Sequence, residues 1–139
     1  MINFSDIFQG NYQYYLKSIN YNAITIGQVK EKLEPCFTDE LSFEVIENRE
    51  LRLEIKRTIK FIPNILYELS VSYGATLRIR DGAENVREID WQQEFRENPV
   101  CVKLLYGLLS RISLQVAQIT SSYGRTPVIT SPTLSPPAC

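Results

Sequence analysis

Residues Asn98–Leu134 read NPVCVKLLYGLLSRISLQVAQITSSYGRTPVITSPTL. Asn98 is a residue type that caps helix N-termini, and Pro99 suits the first helical position, where its missing N–H would have no partner anyway. Beyond them Val102, Leu105, Leu109, Ile112, Val116 and Ile119 recur at spacings of three and four, and Leu104, Leu108 and Ala117 widen the stripe. The pattern predicts one long helix over residues 98–122, stopped at Tyr123-Gly124-Arg125. The chain then leaves as an extended tail. Pro127 and Pro132 lack backbone donors, so this segment is neither a helix nor a central strand, and Val128 and Ile129 between them are expected to pack on the body. So apolar a helix needs a surface to lie on.

The residues upstream supply that surface as strands. Tyr12, Tyr14 and Leu16 alternate with polar residues, then the apolar parity moves to Ile19 and Tyr21 and back to Ile24 and Ile26, which predicts bulges or a strongly bent strand. Leu41, Phe43 and Val45 restart the alternation. Glu47-Asn48 is turn-like, and Leu51, Leu53 and Ile55 then face one way while Arg52, Glu54 and Lys56 face the other. Ile65, Tyr67, Leu69, Val71 and Tyr73 alternate most cleanly, with Gly74 read as a bulge or bend before Leu77 and Ile79. Every connection is short except Gln28–Glu40, which holds Pro35. The expected architecture is therefore α+β, a single domain made of an antiparallel sheet with one face covered by the helix. Residues 1–10 form a lead-in, 12–80 the sheet, 83–97 a short amphipathic helix carrying Trp91 and Phe95, 98–122 the long helix and 123–139 the tail. The width of the helix stripe points beyond its own sheet to a partner subunit. Leu105, Leu109, Ile112 and Val116 are the expected interface of a homo-oligomer.

Composition narrows the function. The 139 residues carry 15 basic and 16 acidic groups, a net charge of −1, with the signs interspersed, which gives no electrostatic case for nucleic acid or an anionic membrane. No signal peptide and no apolar run of membrane-spanning length is evident, so a cytoplasmic location is expected. The three cysteines, Cys36, Cys101 and Cys139, form no CxxC pair and argue against a disulfide framework; Cys101 reads as a small core residue and Cys139 as an exposed thiol.

There is no histidine, which removes the usual general base and the commonest metal ligand, and the six glycines never cluster into a phosphate loop. No cofactor, metal or catalytic residue is expected. The acids Glu84, Glu88, Asp90, Glu94 and Glu97 read as a solvated helix face, and the basic run Arg49, Arg52, Lys56, Arg57 and Lys60 as the polar face of a strand. The eight tyrosines exceed what core packing needs, and the surplus on Tyr12–Tyr21 suits an apolar groove for extended polypeptide.

These residues resemble the export chaperone family SecB over roughly residues 12–134. The likeness is carried by Asn98-Pro99, the helix, the element Ser122-Tyr123-Gly124-Arg125-Thr126-Pro127 with Val128 to Pro132 after it, the strand Tyr14 to Tyr21, and the strand 65–79 with Glu68 in its apolar run. The resemblance implies a four-stranded antiparallel sheet with the long helix on one face. It implies assembly as a dimer or a tetramer built as a dimer of dimers, and ATP-independent capture of unfolded apolar stretches of client chains, which the family hands to the ATPase SecA. Two departures stand out. Ala23 and Gly27 occupy positions where the family carries SecA-docking acids, leaving Glu68 as the one remnant, and the family's second C-terminal helix and acidic tail are not matched. SecA docking is therefore not carried over, and the family also contains chaperones dedicated to a single labile antitoxin.

The leading expectation is a holdase for non-native polypeptide, serving export or one dedicated partner such as an antitoxin. The alternative is a non-catalytic oligomeric adaptor with the same fold and no client. The expected client groove is bordered by Tyr12, Tyr14 and Tyr21 on the first strand and by Leu33 and Phe37 in the long connection.

Overall fold

The computed structural model describes residues 1–24, 33–61, 63, 65–122 and 127–134. A short helix α1 (Phe4–Ile7) leads into β1 (Phe8–Ala23). Then follow β2 (Pro35–Ile46), β3 (Glu50–Phe61) and β4 (Tyr67–Ile79), a single 3-10 turn at Val86–Glu88, α2 (Trp91–Glu97) and α3 (Pro99–Ser121). The four strands form one antiparallel sheet in the order β1-β4-β3-β2, with α3 laid across one face, as the alternating pattern and the helix stripe required. Strands β1 and β2 are the two edges, so the chain between them bridges three strand spacings, about 14 Å.

Period-two alternation sorts the residues onto two faces. In β3, Leu51, Leu53, Ile55, Ile59 and Phe61 point toward α3 and are buried, and their ladder partners Leu77, Ala75, Tyr73 and Leu69 on β4 point the same way. The parity shift in β1 is resolved by a bulge between Leu16 and Ser18, which returns Ile19 and Tyr21 to the helix side opposite Val71 and Leu69. The β2–β3 turn at Glu47-Asn48 puts both residues at positive φ, 51° and 55°, the mirror-image turn that matches strand twist in a tight hairpin.

Two readings of the strands change. Gly74 is not a bulge: it pairs in register with both Tyr15 and Glu54. Its missing side chain instead makes room for the Tyr15 ring, since a Cβ there would lie 2.2 Å from Tyr15 Cζ. Tyr15 hydroxyl donates to Glu54 Oε1 at 3.1 Å, and Lys17 Nζ bonds the other carboxylate oxygen. Burial, then the bond to Glu54, pushes the Tyr15 hydroxyl up to about 12. Burial alone would raise the Glu54 carboxyl, but the bonds and charges from Lys17, Tyr15 and Arg52 outweigh it and hold it below its ordinary value. The second change is at Pro35–Glu40, which belongs to β2 rather than to the connection; proline is tolerated as the first residue of an edge strand, where its missing donor breaks no ladder bond.

The helical half follows its capping signals. Asn98 Oδ1 accepts from Val100 N at 3.2 Å with Pro99 at the first helical position, while Asn98 Nδ2 donates to Ile2 O at 2.9 Å and to Glu94 Oε2 at 3.0 Å. The predicted short helix is interrupted, because Asp90 caps a new start by accepting from Gln93 N at 3.2 Å. Phe43, Phe95, Trp91 and Phe8 stack in a continuous aromatic cluster at this end of the sheet.

Leu105, Leu109, Ile112 and Val116 all lie in the protomer's own core, against the sheet. They are not an accessible interface: the sheet face is wide enough to absorb the whole stripe. For the same reason α3, which by length and composition alone could cross a membrane, has its most apolar side covered by the sheet. Cys101 is buried and free, and burial pushes its thiol up to about 12. Cys36 is disulfide-bonded, contrary to the expectation from an odd cysteine count. The expectations for Gly27, for residues 28–32, for the helix stop at 123–126 and for Cys139 lie outside the described residues.

Replacing Gly74 by Ala should drive the Tyr15 ring off the sheet and forfeit its bond to Glu54. The expected loss is about 1–2 kcal/mol in urea denaturation. In a Tyr15→Ala background the same substitution should cost nothing measurable, which a double-mutant cycle reads directly.

Candidate functional site

Because α3 lies over the two central strands, the sheet has two flanks beside it, one along β1 and one along β2. They differ sharply. On β1 the helix-side row runs Tyr12, Tyr14, Leu16, Ile19 and Tyr21. Tyr14 alone is drawn under α3. Its hydroxyl donates to Leu104 O at 3.4 Å, Gly107 leaves space for it, and the Arg111 guanidinium sits 4.1 Å from its ring centre. Burial, then its neighbour Tyr12, pushes the Tyr14 hydroxyl up to about 12. The rest of the row is open: Leu16, Ile19 and Tyr21 are 47%, 40% and 45% exposed, and Ile24 beyond them is also exposed. β1 pairs with β4 alone among the described residues, so its outer backbone edge runs beside this row. An unpaired edge next to a stripe of apolar side chains has the chemistry that binds an extended peptide: ladder hydrogen bonds along the backbone and apolar contacts at alternate side chains.

On the β2 flank the protein's own tail fills the space. Arg57 lies on the helix side of β3 and is 0% exposed. Its Nε and Nη2 bond the two carboxylate oxygens of Asp39 at 2.7 and 2.8 Å, from the position directly opposite on β2. Nη1 donates to Thr130 Oγ1 at 2.8 Å, to Ser131 O at 2.7 Å and to Ser113 Oγ of α3 at 3.3 Å, and Nη2 donates to Thr133 O at 2.9 Å. The Phe37 ring lies 4.4 Å from the guanidinium carbon. Val128 N donates to Thr120 Oγ1 at 2.8 Å, and Val128 and Leu134 pack on the core, while Ile129 points outward. A buried guanidinium is tolerable when every donor is matched and a carboxylate balances the charge, and both conditions hold here.

The expected groove is therefore divided. Tyr12, Tyr14 and Tyr21 lie on one edge strand, whereas Leu33 and Phe37 lie at the other edge, with β4, β3 and α3 between them. Phe37 belongs to β2 and supports Arg57, and Leu33 packs against the core, so neither is a side chain waiting for a client. The residue missed by the polar-face reading of the basic run is Arg57. Arg52, Lys56 and Lys60 do face away from α3, but parity places Arg57 with Leu51, Leu53, Ile55 and Ile59. A lone arginine in an apolar row, with Asp39 as the one acid in the matching row of β2, was the available signal. Glu68 sits on the polar face, 3.9 Å from Lys60 Nζ. On that same face a cleft of about 450 Å3 is lined by Glu47, Arg49, Glu50, Arg78 and Asp81 among others, a charged surface unsuited to apolar chain.

Asp39→Ala would leave the Arg57 charge buried without its partner, and the expected loss is about 3–5 kcal/mol in chemical denaturation. Leu16→Ser, on the open row, should change stability by less than about 1 kcal/mol.

No protein-family model and no curated protein matches the sequence. Solved structures do. One is described as the Mycobacterium tuberculosis Rv1957 SecB-like chaperone in complex with a ChAD peptide from Rv1956 HigA1 antitoxin. It matches 86% of this chain and 89% of its own with a TM-score of 0.66 at 11% identity. A protein of unknown function from Streptococcus agalactiae matches 86% of this chain and 93% of its own with a TM-score of 0.44 at 15% identity. The four-stranded antiparallel sheet crossed by one long C-terminal helix is the SecB-like fold, and this chain has that fold.

Proposed function

We propose that this protein is an ATP-independent holdase that captures extended apolar stretches of non-native polypeptide along β1. The observation that carries the reading is the row Leu16, Ile19 and Tyr21, left exposed on an edge strand while the apolar rows of β3 and β4 are buried. Fold-level likeness to a SecB-like chaperone that holds a peptide supports it. Burying each of two or three such side chains contributes roughly 1.5–3 kcal/mol. After ordering costs, that allows affinity on the order of micromolar. Of the two client contexts, one dedicated partner is favoured over export. Ala23 stands where an acid would serve SecA docking, and the remaining acid, Glu68, is paired with Lys60. A cytoplasmic location accords with that role.

The test is suppression of aggregation of a chemically unfolded model client. The unmodified protein in stoichiometric excess should slow aggregation, and Leu16→Ser/Ile19→Ser should lose at least about tenfold of that protection while keeping native circular dichroism. Failure of the unmodified protein to protect any client rejects the reading.

The homo-oligomer proposal moves to other residues. On α3 the side turned away from the sheet carries exposed Val100, Tyr106 and Leu114, and these replace the buried Leu105, Leu109, Ile112 and Val116 as the proposed contact between copies. Leu114→Glu should lower the molecular mass in light scattering without unfolding, whereas Leu109→Glu should unfold the protomer. An unmodified chain that is monomeric in solution contradicts the proposal.

A further inference from the structure

The disulfide of Cys36 plays no part in capture along β1. Cys36 is the second residue of β2, half-buried, and disulfide-bonded. The sequence holds three cysteines. Cys101 is free and buried, its thiol pushed up to about 12, so it neither bonds Cys36 nor supplies a thiolate to displace the partner. Within the chain the remaining candidate is Cys139. The described residues bring the end of the chain to β2. Arg57 Nη2 bonds both Asp39 Oδ2 at 2.8 Å and Thr133 O at 2.9 Å, so Thr133 stands beside Asp39. Cys36 is three residues from Asp39 along the strand, about 10 Å. Cys139 follows Thr133 by six residues, which reach at most about 20 Å. The span is therefore within reach. Residues 127–134 are otherwise lightly held. Among the described residues they make no backbone–backbone hydrogen bond to the sheet or to α3. Side-chain bonds from Arg57, Ser113 and Thr120 hold them, with the packing of Val128 and Leu134.

We propose that Cys36 pairs with Cys139 and that this link is a thiol–disulfide switch: closed, it ties the end of the chain to β2; open, it leaves the C-terminal segment to its side-chain contacts alone. The switch goes beyond client capture and rests only on the proposed cytoplasmic location. In a reducing compartment disulfides are uncommon, and those that form are mostly transient catalytic or redox-sensing ones. A half-buried sulfur at the start of an edge strand is open to attack by a small thiol. Opening takes a dithiol reductant. Its first thiolate attacks one sulfur of the link and forms a mixed disulfide, and the other cysteine leaves as a thiolate and takes up a proton. The reductant's second thiol then attacks its own first sulfur and releases the remaining cysteine. The chain gains two electrons and two protons, and the reductant departs as a disulfide. Closing runs the same steps in reverse with a disulfide oxidant such as oxidised glutathione. Opening of a segment without ladder bonds is a local event, separable from unfolding of β3 and β4.

The unmodified protein, digested without reductant and mapped by mass spectrometry, should yield the Cys36 and Cys139 peptides joined, with the undigested chain at monomer mass and Cys101 free. A link to Cys101 or between two copies overturns the proposal. Equilibrated in a buffer dominated by reduced glutathione, at least half of the link should open; a link that persists there is structural and overturns the switch. Amide hydrogen exchange reads the consequence. The Val128 N–H, bonded to Thr120 Oγ1, should exchange at least tenfold faster in the dithiothreitol-treated protein than in the oxidised one, and faster than that of Leu53 in both, which marks local opening rather than unfolding of the sheet. Equal Val128 rates in the two states, or a Val128 amide no faster than Leu53, overturn it. Cys36→Ser and Cys139→Ser should each show the reduced-state rate with or without dithiothreitol; where a variant does not fold, the two states of the unmodified protein decide. Absence of client protection would leave the switch standing, and absence of the link would leave the holdase reading standing.

Discussion

The buried guanidinium of Arg57 constrains everything on its side of the molecule. A charge with no exposed surface must find a counter-charge and a partner for each donor, and those partners come from three separate parts of the chain: Asp39 on β2, Ser113 on α3, and Thr130, Ser131 and Thr133 in the tail. One side chain therefore sets the register of β2 on β3, the lateral position of α3 and the path of the C-terminal segment. An apolar residue at this position would pack against its neighbours without selecting among them. The bidentate pairing and the directed bonds of an arginine admit far fewer arrangements.

That arrangement makes the two flanks of α3 unequal. Where the tail lies, apolar surface is covered and the polar groups are matched. Along β1 no such segment follows among the described residues, and of the β1 row Tyr14 reaches under the helix, into the gap left by Gly107. Leu16, Ile19 and Tyr21 remain in water beside a strand edge. An exposed edge of this kind invites association, and natural sheets usually blunt it with charge, proline or a cover. β1 carries one lysine, on the polar side, and register shifts between Phe8 and Tyr12 and between Leu16 and Ser18, the second of which keeps its apolar row pointed to one face. The proposed capture of other chains rests on this feature.

The polar face of the sheet completes the picture by contrast. It is laced by cross-strand pairs, Lys17 with Glu54, Lys60 with Glu68, and Thr58 with Ser70, and Tyr15 lies flat across Gly74 to join them. Each exposed pair adds little stability. Their joint effect is to keep that face hydrated and unsuited to apolar chain.

Much of this was legible in the chain itself, because it depends on local periodicity. Alternation fixes which residues of β3 and β4 share a face, the shift from Leu16 to Ile19 pointed to a bulge or a strong bend, and Asn98-Pro99 marked the start of α3. A likeness to SecB in the helix and tail pointed to the same fold. What remained hidden depends on which strands become edges. Tyr21 and Phe37 look like neighbours across one connection, yet the order β1-β4-β3-β2 sets them on opposite sides of the sheet. Leu109 and Ile112 look like an interface until the breadth of the sheet beneath them is known. Arg57 stood in plain view by parity, but its meaning needed Asp39 and the tail, 18 residues before it and more than 70 after. Local sequence decides the direction in which a side chain points, because backbone geometry repeats every two or 3.6 residues. Only the folded chain decides what stands there to meet it, because those partners are brought together by pairings between distant segments.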